Sequence, residues 1–203
     1  MKKILLTNTY SFTPMVGAIT KVNPDVIYLI VDKTPDEHQQ ETIKKLKNTF
    51  TYISFKEIKT HVYEIYEISK EIIKHIDKIY TENTEIYVDL TSGRKTKSIA
   101  IMIGCYARSQ KIKEILYFTQ EINRMVYLPK LNFEISKNTF ELLDLISKKE
   151  LSMAEIAKLA ENSKLHLGRT AVYNNIRDFK DKGYINEENN KLKLTDFGKI
   201  LLL

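Results

Sequence analysis

Residues 85–95, Glu85-Ile86-Tyr87-Val88-Asp89-Leu90-Thr91-Ser92-Gly93-Arg94-Lys95, decide how the N-terminal part of the chain is read. Apolar and β-branched residues over 85–90 have the pattern of a short strand. A hydroxyl- and glycine-bearing turn follows, and the apolar pattern over 95–108 is helical. A strand that passes through a tight turn into a helix is half of a βαβ unit.

The flanking sequence repeats the alternation. Ile4–Thr7 and Asp25–Val31 are apolar on both faces, as strands of a buried parallel sheet are. Between them lies a helix over Pro14–Val22, with Met15, Ile19 and Val22 at i, i+4 and i+7. Pro35–Asn48 reads as a charged helix and Phe50–Phe55 as a strand of period two. His61–Tyr80 is an amphipathic helix carrying Ile65, Ile68, Ile72, Ile76 and Ile79 on one stripe. Glu114–Thr119 is a further strand, and Met125–Leu128 an antiparallel edge. The predicted fold class is α/β, with a Rossmann-like, mostly parallel sheet and helices on both faces.

The chain has 203 residues, 43% hydrophobic and 29% charged, with a net charge of +6. That composition supports packed cores and excludes wholesale disorder. One cysteine, Cys105, excludes an intrachain disulfide framework and a clustered thiolate metal site. The basic flank Met1-Lys2-Lys3 precedes an apolar run that stops at Thr7-Asn8-Thr9, too short for a signal peptide, and no run is long enough for a membrane helix. The expected location is the cytoplasm. Residues 1–130 hold 20 basic against 15 acidic side chains, and residues 131–203 hold 12 against 11. The positive excess therefore belongs to the first part, and a boundary is expected at 131–136, where the strand pattern ends.

Residues 137–203 have the order of a small winged helix-turn-helix domain. Asn138–Lys148 forms a first helix with Phe140, Leu143 and Ile146 inward. Ser152-Met153-Ala154-Glu155 is a capping box opening a helix with Ile156, Ala157 and Leu159. A polar turn around Asn162 leads to a helix over Gly168–Lys182 that buries Val172, Ile176 and Phe179. Its other face presents Arg169, Thr170, Tyr173, Asn174, Arg177 and Lys180, donor-rich types that reach phosphates and base edges. Gly183 ends the helix, and a hairpin turning at Asn189-Asn190 forms the wing. Thr195 opens a last helix whose Leu201-Leu202-Leu203 end is expected against a partner helix or a second protomer. Domains of this kind also serve in dimerisation. The +3 surplus over residues 163–182 favours DNA, whereas Glu187 and Glu188 in the wing do not.

In the first part the turn Thr91-Ser92-Gly93-Arg94-Lys95 suits an anion. A helix N-terminus offers unpaired N–H groups, the hydroxyls add donors, and Arg94, Lys95 and Lys97 add charge. The same residues also read as an ordinary turn capped by Thr91 or Ser92. A second polar loop, Asn8-Thr9-Tyr10-Ser11-Phe12-Thr13, follows the first strand and emerges at the same sheet edge, with Tyr10 or Phe12 as a stacking face. It also reads as a cap, by Ser11 or Thr13, on the helix at Pro14. Neither a Walker A loop nor a dinucleotide fingerprint occurs.

A Thr/Asn/Ser-rich first loop and a fourth strand ending in Asp89–Lys95 resemble the CRISPR-associated Rossmann-fold (CARF) domain, over residues 1–130. With the C-terminal winged helix, the chain resembles CRISPR-associated transcriptional regulators of antiviral defence. The resemblance implies a homodimer that binds one cyclic oligoadenylate across its dyad, cyclic tetra-adenylate being the leading ring, and no further cofactor. It places Asn8, Thr9, Tyr10, Ser11 and Phe12, with Thr91, Ser92, Gly93, Arg94 and Lys95, at the ligand. Ser92 stands where the family often has a first glycine.

The expected function is a cyclic-oligoadenylate-responsive regulator whose second domain binds double-stranded DNA. The alternative is a metal-independent ring nuclease in which Ser11, Arg94 and Lys95 act on the ring and the winged helix only dimerises. No Arg is followed within six residues by His, as fused nuclease domains have it. Glu57-Ile58-Lys59 lacks a suitably placed preceding Asp, and His38, His61, His75 and His166 lack metal-ligand spacing. No effector nuclease and no metal site is expected.

Overall fold

Strands β1 (Lys2–Asn8) and β2 (Val26–Asp32) are almost wholly buried, because their apolar residues alternate between two cores. The computed structural model describes every residue except Gln120, Asn123, Asn132, Glu134, Asn162, Ser163, Lys164 and His166. It divides into two units, Met1–Phe133 and Glu134–Leu203.

In the first unit β3 (Ser54–Thr60), β4 (Thr84–Asp89), β5 (Glu114–Thr119) and β6 (Arg124–Leu128) complete one sheet in the order β3-β2-β1-β4-β5-β6. All pairs are parallel except β5 with β6. Leu5, Ile27 and Leu29 face α1 (Phe12–Val22) and α2 (Glu37–Thr49), packing on Met15, Ile19 and Leu46. Ile4, Leu6 and Ile30 face the opposite layer, α3 (Ile65–Ile79) and α4 (Lys95–Tyr106), packing on Ile68, Ile72, Ala100 and Ile101. The period of two in the strands and of 3.6 in the helices thus builds helices on both faces of a mostly parallel sheet. Cys105 is buried in the second of these cores.

Several boundaries differ from the sequence reading, three of them near the site or in the sheet. The third strand is not Phe50–Phe55 but Ser54–Thr60. Phe50 and Ile53 are three residues apart and close the α2 layer instead, while the real strand is an edge whose Lys56, Glu57 and Lys59 are exposed. Such charges block further strand pairing, and they also hide the strand from a hydrophobic pattern. Helix α1 begins at Phe12, so Pro14 is its third residue, where a missing N–H is harmless. Helix α3 begins only at Ile65, and residues 61–64 form a loop.

The second unit contains α5 (Lys137–Lys148), α6 (Met153–Glu161), α7 (Arg169–Asp181), the antiparallel hairpin β7 (Ile185–Glu188) and β8 (Lys191–Leu194), and α8 (Asp196–Leu201). Ser152 and Glu155 form the capping box: the Ser152 N–H donates to the Glu155 carboxylate at 2.8 Å and the Glu155 N–H to Ser152 Oγ at 3.4 Å. Helix α7 ends in a Schellman motif, with the Tyr184 N–H on the Phe179 carbonyl, the Gly183 N–H on the Lys180 carbonyl, and Gly183 at φ +70°. Asn189 and Asn190 both have positive φ, 51° and 60°, as the hairpin's two-residue turn demands.

Leu142, Leu143, Ile146, Ile156, Val172, Ile176 and Phe179 form this unit's core. Phe140, expected inward, is 43% exposed, and Leu142 is buried beside Leu143 and Ile146 instead. Leu159 is exposed too, and Ala160 lies in the core instead. Leu201 and Leu202 pack, partly buried, on their own unit's core. The turn around Asn162, and His166, lie outside the described residues.

Candidate functional site

The strand order reverses between β1 and β4. The chain leaves β1 for α1 on one face and β4 for α4 on the other, which opens a crevice at the carboxyl ends of these strands. Both predicted loops therefore meet at the switch point. Thr7 lies beside Asp89 in the β1–β4 register, and its hydroxyl donates to the Asp89 carboxylate at 2.8 Å. The Thr91 N–H (3.1 Å) and hydroxyl (2.5 Å) donate to the same side chain. Complete burial pushes the Asp89 carboxyl above its ordinary value, while these three donors pull it back.

The two loops are stitched together by Ser92. Its Oγ accepts the N–H groups of Tyr10 (3.0 Å) and Ser11 (2.6 Å), and the side chain is buried. Neither Thr91 nor Ser92 caps α4; the N-cap residue is Arg94. Gly93 turns at φ +87° directly over the Asn8 amide, where a Cβ would lie 2.4 Å from Asn8 Nδ2. That amide is held in place by donating to Ser98 Oγ at 3.1 Å.

The ten expected ligand residues consequently separate by exposure. Asn8, Thr9 and Ser92 are buried and build the loops. Thr91, Tyr10, Ser11 and Phe12 are half-buried, and Gly93, Arg94 and Lys95 are exposed. Ser11 occupies the N-cap of α1 but makes no side-chain capping bond. Two helix N-termini with unsatisfied N–H groups thus converge beside two exposed cations, an arrangement suited to phosphates.

Helix α2 holds the first loop from outside. The Thr42 hydroxyl donates to the Tyr10 carbonyl at 2.9 Å and Gln39 Nε2 to the Thr9 carbonyl at 2.6 Å. Tyr10 packs on His38, with ring centroids 4.9 Å apart, and Lys45 sits 4.3 Å above the Phe12 ring. A cavity of about 340 Å³ opens between this loop and α2, bounded by Ser11, Phe12, His38, Thr42 and Lys45.

Lys97 departs from the expected cationic cluster. It is 2% exposed and ion-paired with Asp32 at the end of β2, so its charge is spent inside the protein. Burial pushes this ammonium below the usual lysine value, against the pull of Asp32. Asp32, Gln39 and Tyr63 escape the sequence reading. Tyr63, in the loop after β3, is an exposed ring 5.6 Å from the Arg94 guanidinium. Among the described residues no cluster of His, Cys, Asp or Glu could hold a metal ion, and no helix is long and apolar enough to cross a membrane.

In the second unit α7 exposes Arg169, Thr170, Asn174 and Arg177, with Tyr173 and Lys180 half-buried. Arg169 Nε donates to the Tyr173 hydroxyl at 2.9 Å and its guanidinium lies 5.4 Å from the ring centroid. Lys180 is ion-paired with Glu187 of β7, and Lys193 with Glu188 at 3.2 Å. The acidic residues of the hairpin are thereby matched by lysines of the same unit.

Comparison with known proteins bears on the first unit in particular. Residues 9–122 match the protein family described as "HFX_2341_N:-like, N-terminal". No curated protein matches the sequence. Can2 from Sulfobacillus thermosulfidooxidans, solved in complex with cyclic tetra-adenylate, has a similar structure: TM-score 0.50, 12% identity, covering 99% of this chain and 64% of that one. Csm6 of Enterococcus italicus, bound to cyclic hexa-2'-fluoro-hexa-dAMP, has a TM-score of 0.51 at 14% identity over 90% of this chain and 55% of its own. Protein VC1899 from Vibrio cholerae gives 0.52 at 12% identity, over 98% and 65%. At such identities the likeness is one of fold, and the chain spans between 55% and 65% of the length of these structures.

Proposed function

We propose, for a chain that belongs to the HFX_2341_N:-like, N-terminal family, a homodimeric regulator with a CARF sensor and a winged helix-turn-helix that binds double-stranded DNA. The observation that carries this reading is the meeting of two polar loops, two helix N-termini and the exposed Arg94 and Lys95 at the switch point of a β3-β2-β1-β4-β5-β6 sheet. The ligand is a cyclic oligoadenylate, with cyclic tetra-adenylate as first candidate. Two of the similar solved structures hold cyclic oligonucleotides, which supports that choice.

In this mechanism each protomer contributes one copy of Arg94, Lys95, Gly93, Thr91 and Ser11 to a two-fold ring. Asn8, Thr9 and Ser92 act indirectly, by fixing the loop backbones. Regulation requires that the ring bind two arrangements of the dimer unequally. The α7 face of Arg169, Thr170, Tyr173, Asn174 and Arg177 is the DNA-reading surface. Lys180 contributes less than its type suggests, since Glu187 already neutralises it. The order of three helices, hairpin and closing helix supports the winged-helix assignment.

A second reading rests on Ser11, whose hydroxyl makes no capping bond and whose backbone N–H donates to Ser92 in the loop of Arg94 and Lys95. In a metal-independent ring nuclease this hydroxyl and the two cations would align a ribose 2′-hydroxyl on its phosphate and stabilise the charged transition state. The second unit would then serve only dimerisation.

Thermal unfolding with cyclic tetra-adenylate, cyclic hexa-adenylate and linear oligoadenylate tests the sensor. Ligand at about 100 times its Kd adds roughly 2.7 kcal/mol to the folded state. A shift with one ring, absent from Arg94→Ala and Lys95→Ala, supports the assignment; no shift with either ring refutes it. Conversion of the ring to linear product, lost in Ser11→Ala, favours the nuclease.

A further inference from the structure

The loop between β3 and α3 carries the feature that the two expected ligand loops lack, an exposed aromatic face. Tyr10 is packed on His38 and Phe12 lies beneath Lys45. Tyr63 is 62% exposed, and its ring lies 5.6 Å from the Arg94 guanidinium, which forms no ion pair among the described residues. Its backbone is fixed: the Tyr63 N–H donates to Glu64 Oε2 at 3.3 Å, and Thr96 of α4 donates to the neighbouring Val62 carbonyl at 3.5 Å. A cavity of about 300 Å³ adjoins the ring, bounded by Lys33, Thr34, His61 and Tyr63. Leaving a tyrosine in water beside a cation forgoes burial, whereas an aromatic ring paired with an arginine matches the stacking platforms that hold nucleobases.

From this geometry we propose that Tyr63, with Arg94, is a nucleobase-stacking platform that holds a purine ring while Arg94 remains within reach of the attached phosphate. The platform deepens the sensor reading and rests on it for the identity of the nucleotide, a cyclic oligoadenylate. The same chemistry serves a free adenine mononucleotide, and the two sources separate in titration.

The chain has no tryptophan, so Tyr63→Trp places a unique fluorophore at the platform. AMP and ribose 5-phosphate are titrated into this variant, and AMP into the wild type, Tyr63→Ala and Tyr63→Phe. The proposal expects quenching by AMP and none by ribose 5-phosphate. It also expects AMP binding about tenfold to hundredfold weaker in Tyr63→Ala, with Tyr63→Phe close to wild type. Equal quenching by ribose 5-phosphate, or unchanged affinity in Tyr63→Ala, overturns it. Cyclic tetra-adenylate and cyclic hexa-adenylate on the same variants distinguish the two assignments. Wild-type stabilisation by a ring that neither quenches Tyr63→Trp nor weakens in Tyr63→Ala refutes the platform and leaves the sensor standing. AMP quenching without wild-type stabilisation by either ring supports the platform and refutes the sensor.

Discussion

Replacing Gly93 by alanine perturbs the candidate site at its tightest point, in two separable ways. The backbone there has φ +87°, a region that costs a residue with a Cβ about 1–2 kcal/mol. The added methyl would also lie 2.4, 2.6 and 2.7 Å from Asn8 Nδ2, Cγ and Oδ1. Asn8 is 1% exposed and bonded to Ser98, so moving its amide breaks a part-buried hydrogen bond and leaves a buried amide unpaired, at a further cost of about 1–3 kcal/mol. Together the loss is about 2–5 kcal/mol. Hydrogen exchange of the β1 and β4 amides reads this loss in the first unit alone. The two causes part company in combination: adding Asn8→Ala removes the clash but not the φ strain, giving a coupling of about 1–3 kcal/mol in the double variant. Gly93→Ala within about 0.5 kcal/mol of wild type would refute the loop geometry from which the site is built.

Lys97→Met leaves Asp32 buried without its partner and should cost about 3–5 kcal/mol in urea unfolding, most of it regained in Lys97→Met/Asp32→Leu; a mild single variant would contradict the buried pair. Because burial raises the Asp89 carboxyl above its ordinary 3.8, the folded chain binds a proton that the unfolded chain has released. Relative to Asp89→Asn, wild-type stability therefore falls as pH rises from 3.8 through the raised value and is level above it, in thermal melts across that range. A difference that grows with pH would reverse the direction. For DNA, Arg177→Ala should weaken binding to a mixed-sequence duplex and flatten the slope of log K against log salt by about 0.9; an unchanged slope removes Arg177 from the phosphate contacts.

The parallel sheet was legible because its central strands are buried on both faces, so Ile4–Leu6 and Val26–Val31 show as unbroken apolar runs. Edge strands lack that signal. Ser54–Thr60 is charged outward and was displaced in the sequence reading by Phe50 and Ile53, whose burial comes from the α2 layer. The site was legible as a place, since polar loops after β1 and β4 must emerge at one sheet edge. Which side chains face outward was not. Ser92, Asn8 and Thr9 are as polar as Ser11, yet they turn inward: Ser92 accepts two loop N–H groups, Thr9 donates to the Thr7 carbonyl and Asn8 to the Ser98 hydroxyl. Lys97 looks like Lys95 in sequence; only the proximity of Asp32, 65 residues away, turns it into the core. Tyr63 belongs to a segment that reads as the start of a helix, and its exposure follows from α3 beginning at Ile65. In the second unit the helical stripes of α7 were plain from spacing, whereas in α5 both Phe140 and Leu142 flank Leu143 and only packing puts Leu142 inward and Phe140 outward.

Isothermal titration calorimetry with cyclic tetra-adenylate reads affinity and stoichiometry together, and so bears directly on a ring shared by two protomers. One ring should bind for every two chains, with the heat abolished by Arg94→Ala or Lys95→Ala. One ring per chain, or heat that both variants retain, would contradict a ligand held by two copies of the β4–α4 turn.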